Sequence, residues 1–530
     1  MTAAGAQPPN FLFFIADQLR FDHLGCYGNA IVRTPQIDAI AKSGWVSDAF
    51  LVASPICMPN RATLLTGRMP SVHGVRHNGI PLSLDATTFV DLLRRAGYRT
   101  GLIGKSHLQN MAGNPPAWPP SPADRLELEA RARGGGRYDQ EWGPAWAADP
   151  THDLDLPFYG FDTVDLTINH GDDLQGHYRR WLKANHPEAE KLLGPKNALP
   201  APEFELTRCR QAWRTRIPPE LHPNSYCADS TIARLEESAA AGAPFFLMCS
   251  FADPHHPFTP PGPYWDMYRP EAVELPRSFR AASNSLPPHV RWLWAERDAG
   301  RAIKNTPQLF ACTEREAREA IALNFGLISF IDDCIGKVMA RLDALGLADD
   351  TIVIVTADHG DYMGDHQLLL KGPIHYRSII QTPFIWRDPS GPRGQRSAAL
   401  AGTVDLAPTI LARASVTGFN GIQGKNLLPL MRGETDAVDR EMLVEEEGQR
   451  LGLGLPGRAR TRSLVTERYR LSLYDGVDWG ELYDRQNDPD ESINLWDDAG
   501  SASLRADLTL RLAKKMIEVS ETSPYPTASA

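Results

Sequence analysis

Short apolar runs alternate with segments of helical period along most of this chain. That pattern predicts an α/β fold on a large, mostly parallel sheet sandwiched by helices. Residues 10–16 (Asn-Phe-Leu-Phe-Phe-Ile-Ala) read as a first strand and 98–104 as another. Residues 244–251 are an apolar run bounded by Pro and Asp, which reads as a buried strand. Thr-Ile-Val-Ile-Val-Thr at 351–356 is the clearest β-branched core strand. Helical spacing covers 36–43, 88–96 and 404–414, and a long amphipathic stretch at 317–345 that has room for a break. Between about 111 and 224 the pattern turns irregular and rich in Pro, Gly and Trp. A structureless loop of that length is unusual, so residues 110–240 are expected to fold as a substrate cap inserted into a catalytic domain spanning 1–438. Strand-like pieces at 462–466 and 469–474, closed by a helix at 503–518, predict a smaller C-terminal domain, 439–530, with an antiparallel sheet.

Composition narrows the function. The 530 residues are 42% hydrophobic, ample for a large core, and the net charge of −10 argues against a general nucleic-acid binder. No run approaches the ~18 apolar residues of a membrane span. The apolar stretch at 11–16 is too short for a secretory leader and Asp17 follows it at once, so the reading is a cytoplasmic protein. Seven cysteines (26, 57, 209, 227, 249, 312 and 334) are scattered without a Cys-x-x-Cys, which supports neither a disulfide framework nor a zinc ribbon.

Ionisable residues follow each proposed parallel strand: Asp17 and Gln18, then Lys105 and His107, then Asp253, His255 and His256, then Asp358 and His359. Ligands of open α/β sheets bind at that edge. One such Asp alone is more often a cap or turn residue. Asp17 with Asp358 and His359 makes a metal set, to which Gln18 can add an amide oxygen. Carboxylates with one imidazole suit Mn²⁺, and Ca²⁺ less readily. Arg61, Lys105, His107, His255 and Lys371 are the cationic groups that a sulfate or phosphate ester requires around its oxygens. Cys57 stands before a Pro and an apolar run, which places it at a helix start, where unpaired N–H groups favour an anion. Asn78, in a Gly-containing loop, is either near that nucleophile position or a turn residue.

Cys57-Met-Pro-Asn-Arg61, followed by Leu64-Leu-Thr-Gly-Arg68, resembles the modification signature of the sulfatase family in the alkaline phosphatase superfamily. Ile15-Ala-Asp-Gln-Leu-Arg20, Gly104-Lys-Ser-His107, His255-His-Pro-Phe258, Thr356-Ala-Asp-His-Gly360 and Glu481-Leu-Tyr-Asp484 are similar to further landmarks of that family, in order. The resemblance implies that a maturation enzyme oxidises Cys57 to formylglycine, whose hydrate binds one divalent metal alongside Asp17, Gln18, Asp358 and His359 and attacks a sulfate monoester. It also implies that Arg61 orients the hydrate, that Asn78, Lys105, His255 and Lys371 bind substrate, that His255 is the acid with Lys371 as partner or substitute, and that His107 is the base that releases sulfate. Many sulfatases carry Asp-Asp and Asp-Asn where this chain has Asp17-Gln18 and Asp358-His359. The Gln and His forms resemble choline sulfatases and phosphonate monoester hydrolases, whereas the Lys105/His107 pair resembles sulfatases.

Two alternatives stay open on the sequence: a phosphodiesterase or phosphonate monoester hydrolase on the same scaffold, and a non-catalytic metal- or anion-binding protein in which Cys57 remains a thiol. The expected partners are a small sulfate ester and the maturation enzyme, with no nucleic acid and no membrane; a homo-oligomer is left open. Trp118, Trp142, Trp146, Phe158 and Tyr159 offer a cage for a quaternary ammonium, although packing is the commoner use of such residues. His170 and His177 lie in the same stretch with no role fixed.

Overall fold

The computed structural model describes residues 8–113, 131, 134–201, 204–282 and 285–528. Its centre is a nine-stranded sheet in the order Gln395–Ser397, Trp45–Ser47, Phe384–Arg387, Thr351–Ala357, Asn10–Ala16, Phe245–Phe251, Arg99–Gly104, Thr163–Ile168, Gln175–Gly176. The five strands from Thr351–Ala357 to Thr163–Ile168 are all parallel, with Ile15 level with Thr356 and Ser250, and Gly104 level with Ser250 and Leu166. Every residue of Asn10–Ala16, Phe245–Phe251 and Thr351–Ala357 is buried, which explains their unbroken apolar composition.

The pleat sends alternate side chains into two layers. Leu12, Phe14, Val353, Val355 and Leu247 pack with the helix Glu314–Ala344. Phe11, Phe13, Ile352, Ile354 and Phe246 face the helices Cys57–Thr66, Phe89–Arg95 and Leu406–Arg413. Glu314–Ala344 is one unbroken helix that begins three residues before the expected start. Thr313 Oγ1 accepts from Glu316 N (3.2 Å) while Glu316 Oε2 accepts from Thr313 N (2.8 Å), a capping box that fixes the first turn. Gly326 within it lies where a side chain would meet the Tyr264 carbonyl, so it serves a close approach and does not break the helix.

The 110–240 stretch differs from the expectation of an irregular insertion. It contributes the fifth parallel strand, Thr163–Ile168, and a 19-residue helix, Pro223–Ala241, packed on the sheet. Trp146, Phe158 and Tyr159 are core residues, and Tyr159 Oη donates to the Leu82 carbonyl at 2.6 Å, so they form no cation cage. Trp142 is partly exposed, and Trp118 lies outside the described residues.

The strands Glu441–Leu451, Arg458–Thr466, Tyr469–Tyr474 and Gly480–Asp484 form the expected antiparallel sheet, covered by the helix Ala502–Glu518. Its inner face shares one core with Leu51, Tyr362, Ile374, Tyr376 and Ile379 of the large domain. Among the described residues no helix is long and apolar enough to cross a membrane, and all seven cysteines are free.

Candidate active site

The carboxyl ends of the five parallel strands converge on one buried polar cluster. Asp17 follows the first strand, and its N–H donates to the carbonyls of Phe251 (3.2 Å) and Asp253 (3.1 Å), which locks the loop after that strand to its neighbour. Gln18 takes a left-handed backbone (φ 65°), and its N–H donates to Asp358 Oδ1 at 3.0 Å. Asp358 is held twice more. Arg61 Nε donates to Oδ2 at 2.8 Å, and Asn60 Nδ2 donates to the backbone carbonyl at 2.5 Å. Arg61 Nη1 also donates to the Lys105 carbonyl and to Ser250 Oγ, both at 2.9 Å, so one guanidinium ties three strand ends together.

Cys57 is the first residue of a helix buried along all ten of its residues and closed by Gly67 in a left-handed cap (φ 63°). Asn78 Oδ1 accepts from Met58 N at 3.0 Å and so satisfies one of the free N–H groups of that helix start. Cys57 Sγ lies 2.8 Å from Lys371 Nζ, 3.1 Å from His359 Nε2 and 3.7 Å from Asp17 Oδ1. Burial and Asp17 push its thiol up, but Lys371, Lys105 and His359 outweigh them and hold it below the usual range.

Ligand atoms of Asp17, Cys57, Asp358 and His359 all lie within 4.8 Å of one another. His359 Nδ1 is 2.9 Å from the Gly360 carbonyl and so carries an N–H, which turns Nε2 toward the carboxylates; against the cost of burial Asp358 and Cys57 raise the ring's pKa, and in its neutral form Nε2 offers a lone pair to a cation. Gln18 Oε1 is buried with no hydrogen-bond partner. Two carboxylates, one correctly oriented imidazole and one bare amide oxygen fit a divalent cation. Asp17, His170 and His255 form a second, smaller grouping of three ligands, with one carboxylate against the two carboxylates, thiol and bare amide oxygen of the first, so it is the weaker fit to a divalent cation.

Lys105 Nζ pairs with Asp17 Oδ2 and lies 2.6 Å from His170 Nε2. Against the cost of burial, Lys105, His255, a hydrogen bond from His170 and Lys371 hold the Asp17 carboxyl well below its ordinary range. Lys371 Nζ is 2.9 Å from His255 Nε2 and 3.2 Å from His359 Nε2. Burial works against its charge, yet Cys57, Asp17 and Asp358 raise its pKa overall. His255 Nδ1 bonds the His256 carbonyl, so its Nε2 accepts from Lys371. Burial, His170 and Lys371 keep His255 well below the usual imidazole value, which puts the shared proton on Lys371. His107 is buried, its Nδ1 has no partner, and burial with Lys105 keeps it neutral.

Every residue expected at the site therefore lies in or beside one cluster, with Asn78 committed to the helix start. Four others carry no role readable from the sequence, and His170, singled out there with no role fixed, is one of them. His170 stands on Lys105 and stacks face to face on His255 (3.6 Å between ring centres); it follows the strand Thr163–Ile168 as His359 follows its own, a signal lost with that strand. Glu141 accepts the N–H groups of His107 (2.9 Å) and Gln109 (2.5 Å), and burial pushes it to about 7. Asn60 holds Asp358, and Asp361 accepts from Gln18 Nε2.

The sulfatase family model matches residues 9–416, and that of the N-sulphoglucosamine sulphohydrolase C-terminal region matches 364–518. The chain is similar to the uncharacterized sulfatase YidJ of Escherichia coli (29% identity over 505 residues, 94% of this chain and 85% of that protein). It is also similar to an arylsulfatase of Clostridium perfringens (25% identity, 92% and 90% covered). Among solved structures, the phosphonate monoester hydrolase of Agrobacterium radiobacter superposes with a TM-score of 0.76 at 25% identity, covering 97% of each chain.

Proposed function

The chain belongs to the sulfatase family and is an ester hydrolase of the sulfatase type, and from that membership we propose that it cleaves a sulfate monoester with a nucleophile made from Cys57. The observation that carries this reading is the setting of Cys57 Sγ, on the first turn of a buried helix and within 3.7 Å of Lys371, His359 and Asp17. In this reading a maturation enzyme oxidises Cys57 to formylglycine, and the hydrate supplies the attacking oxygen. A Ca²⁺ or Mn²⁺ ion held by Asp17, Gln18, Asp358, His359 and the modified Cys57 would supply Lewis-acid activation and offset charge on the ester.

The chain's own residues do the rest. Arg61 keeps Asp358 in place from a buried position and orients the first turn of the nucleophile helix. Lys105, beside Asp17 and His170, and Lys371 present cations to the non-bridging ester oxygens. Lys371 gives its proton to the departing alcohol, and His255, already accepting from Lys371, steadies that ammonium and shares the proton. His107 is neutral with an unpartnered Nδ1 and takes the proton whose loss releases sulfate. Asn78 serves by fixing the start of the helix that carries Cys57.

A second reading, hydrolysis of phosphonate monoesters or phosphodiesters, is favoured by Gln18 and His359 and by the likeness to the Agrobacterium enzyme. The test compares a matched aryl sulfate, phosphate monoester, phosphodiester and phosphonate monoester on protein whose Cys57 conversion has been quantified by mass. A sulfate preference supports the first reading. A diester or phosphonate preference replaces it with the second, and hydrolysis of none by converted protein refutes both.

A further inference from the structure

The loop after His359 doubles back to deliver Lys371. Along it Met363, His366, Gln367 and Leu370 take left-handed backbone (φ 43°, 50°, 59° and 70°), a region few side chains favour. The path leaves two N–H groups, of Met363 and Leu370, and both donate to Asp361 Oδ1, at 2.9 and 3.0 Å. The other oxygen, Asp361 Oδ2, accepts from Gln18 Nε2. Gln18 Nε2 also lies 3.2 Å from His256 Nδ1. Both amide hydrogens are thereby used, and Gln18 Oε1 remains a buried, bare acceptor. Turning the amide over would set its oxygen against the carboxylate, so Asp361 selects the orientation in which the oxygen is free.

We propose that Asp361 is the positioning residue of this site: one buried carboxylate both presents the Gln18 oxygen to a divalent cation and closes the strained loop that places Lys371. Neither act requires Asp361 to touch substrate. The inference rests on the reading of Asp17, Gln18, Asp358 and His359 as a cation site. In Asp361→Asn one side-chain atom becomes an N–H₂, which cannot accept from both Gln18 and the two loop N–H groups. A shell residue of this kind typically carries a 10–100-fold effect on metal affinity.

The test is titration of the metal-stripped full chain with Mn²⁺ alone and, separately, with Ca²⁺, read as free metal at equilibrium. Asp361→Asn is expected to bind about 10–100-fold more weakly than wild type. In a Gln18→Ala background the same substitution is expected to cost little more, because both changes act through one oxygen. Wild-type affinity in Asp361→Asn overturns the inference, as does full additivity of the two losses. Failure of the wild-type chain to bind either ion overturns the cation reading itself, a different result from tight binding that ignores Asp361. If Asp361→Asn does not fold, Asp361→Glu keeps the charge but displaces it by one methylene. The same fall in affinity is expected there, and unchanged affinity refutes the proposal.

Discussion

Lys371 gives the sharpest measure of the proposed chemistry. Its ammonium lies 2.8 Å from Cys57 Sγ, 2.9 Å from His255 Nε2 and 3.2 Å from His359 Nε2, so all three of its hydrogens face the reaction centre. Lys371→Met keeps the length of the side chain and removes the charge and the proton. A positioned general acid contributes about 10²–10⁴ in rate, or about 3–5 kcal/mol at roughly 1.4 kcal/mol per decade. A nitrophenolate departs with little protonation whereas an alkoxide needs a full proton. The loss is therefore expected near ~10² for 4-nitrophenyl sulfate and toward ~10⁴ for an alkyl sulfate. Folding should survive. Arg61 is paired with Asp358 at 2.8 Å and Lys105 with Asp17, while Lys371 makes no carboxylate ion pair among the described residues. Both buried carboxylates stay compensated in the variant, so Tm should hold within a few degrees. The assay is kcat/KM over a series of aryl and alkyl sulfates, with a thermal melt of each protein. A loss independent of the leaving group would refute the acid role. A melt lowered by ten degrees or more would show that Lys371 supports the fold instead.

Cys57→Ala should abolish hydrolysis while Mn²⁺ binding and the far-UV spectrum persist, because Asp17, Asp358 and His359 keep their backbone and Arg61 anchors; near-normal turnover would remove Cys57 from the mechanism. Glu446, buried beside His375 (3.3 Å), is pushed to about 8 by burial, against the pull of Lys371. Its folded pKa exceeds the unfolded value, so the folded chain holds a proton that the unfolded chain loses near pH 4.5. The associated stability is present below that pH and declines as pH rises toward 8, by up to about 1.4 kcal/mol per pH unit. Glu446→Gln should flatten that decline in urea melts taken from pH 5 to 8; an unchanged slope would show that Glu446 is ionised in the fold.

What could be read from the chain and what could not divide along physical lines. Strands 10–16, 245–251 and 351–357 are buried on both faces, so their composition alone announces them, and Asp17, Asp358 and His359 follow at once. Thr163–Ile168 is only half-buried at Thr163 and Asp165, which breaks its apolar run and hid the strand and, with it, the role of His170. Asn78 was visible as a loop residue, but its partner is a backbone N–H that exists only once the helix has formed. Asp361 was opaque for the same reason: the N–H groups it gathers are brought together by left-handed residues whose identities, Met and Leu, give no hint of that geometry. The helix Glu314–Ala344 was legible as a period, while the reason for Gly326 within it, a close approach to the Tyr264 carbonyl, belongs to packing that no period reveals.

If Cys57 is converted as proposed, its burial sets a timetable for biogenesis. In the finished fold Cys57 is 1% exposed, on a helix whose residues are all buried, with its sulfur against a lysine 314 residues downstream. Any enzyme that must take hold of this segment to oxidise it meets a suitable chain only before the pocket closes. The pocket cannot close until Lys371 has been synthesised. At roughly 5–20 residues per second, translation between the two positions lasts about 15–60 s. That interval is a window of access whose length is set by the spacing of Cys57 and Lys371 along the chain. On that reading, conversion of Cys57 would depend on the pace of the ribosome and the abundance of the proposed maturation enzyme, and a folded but unconverted molecule would have to reopen the helix Cys57–Thr66 before it could be converted.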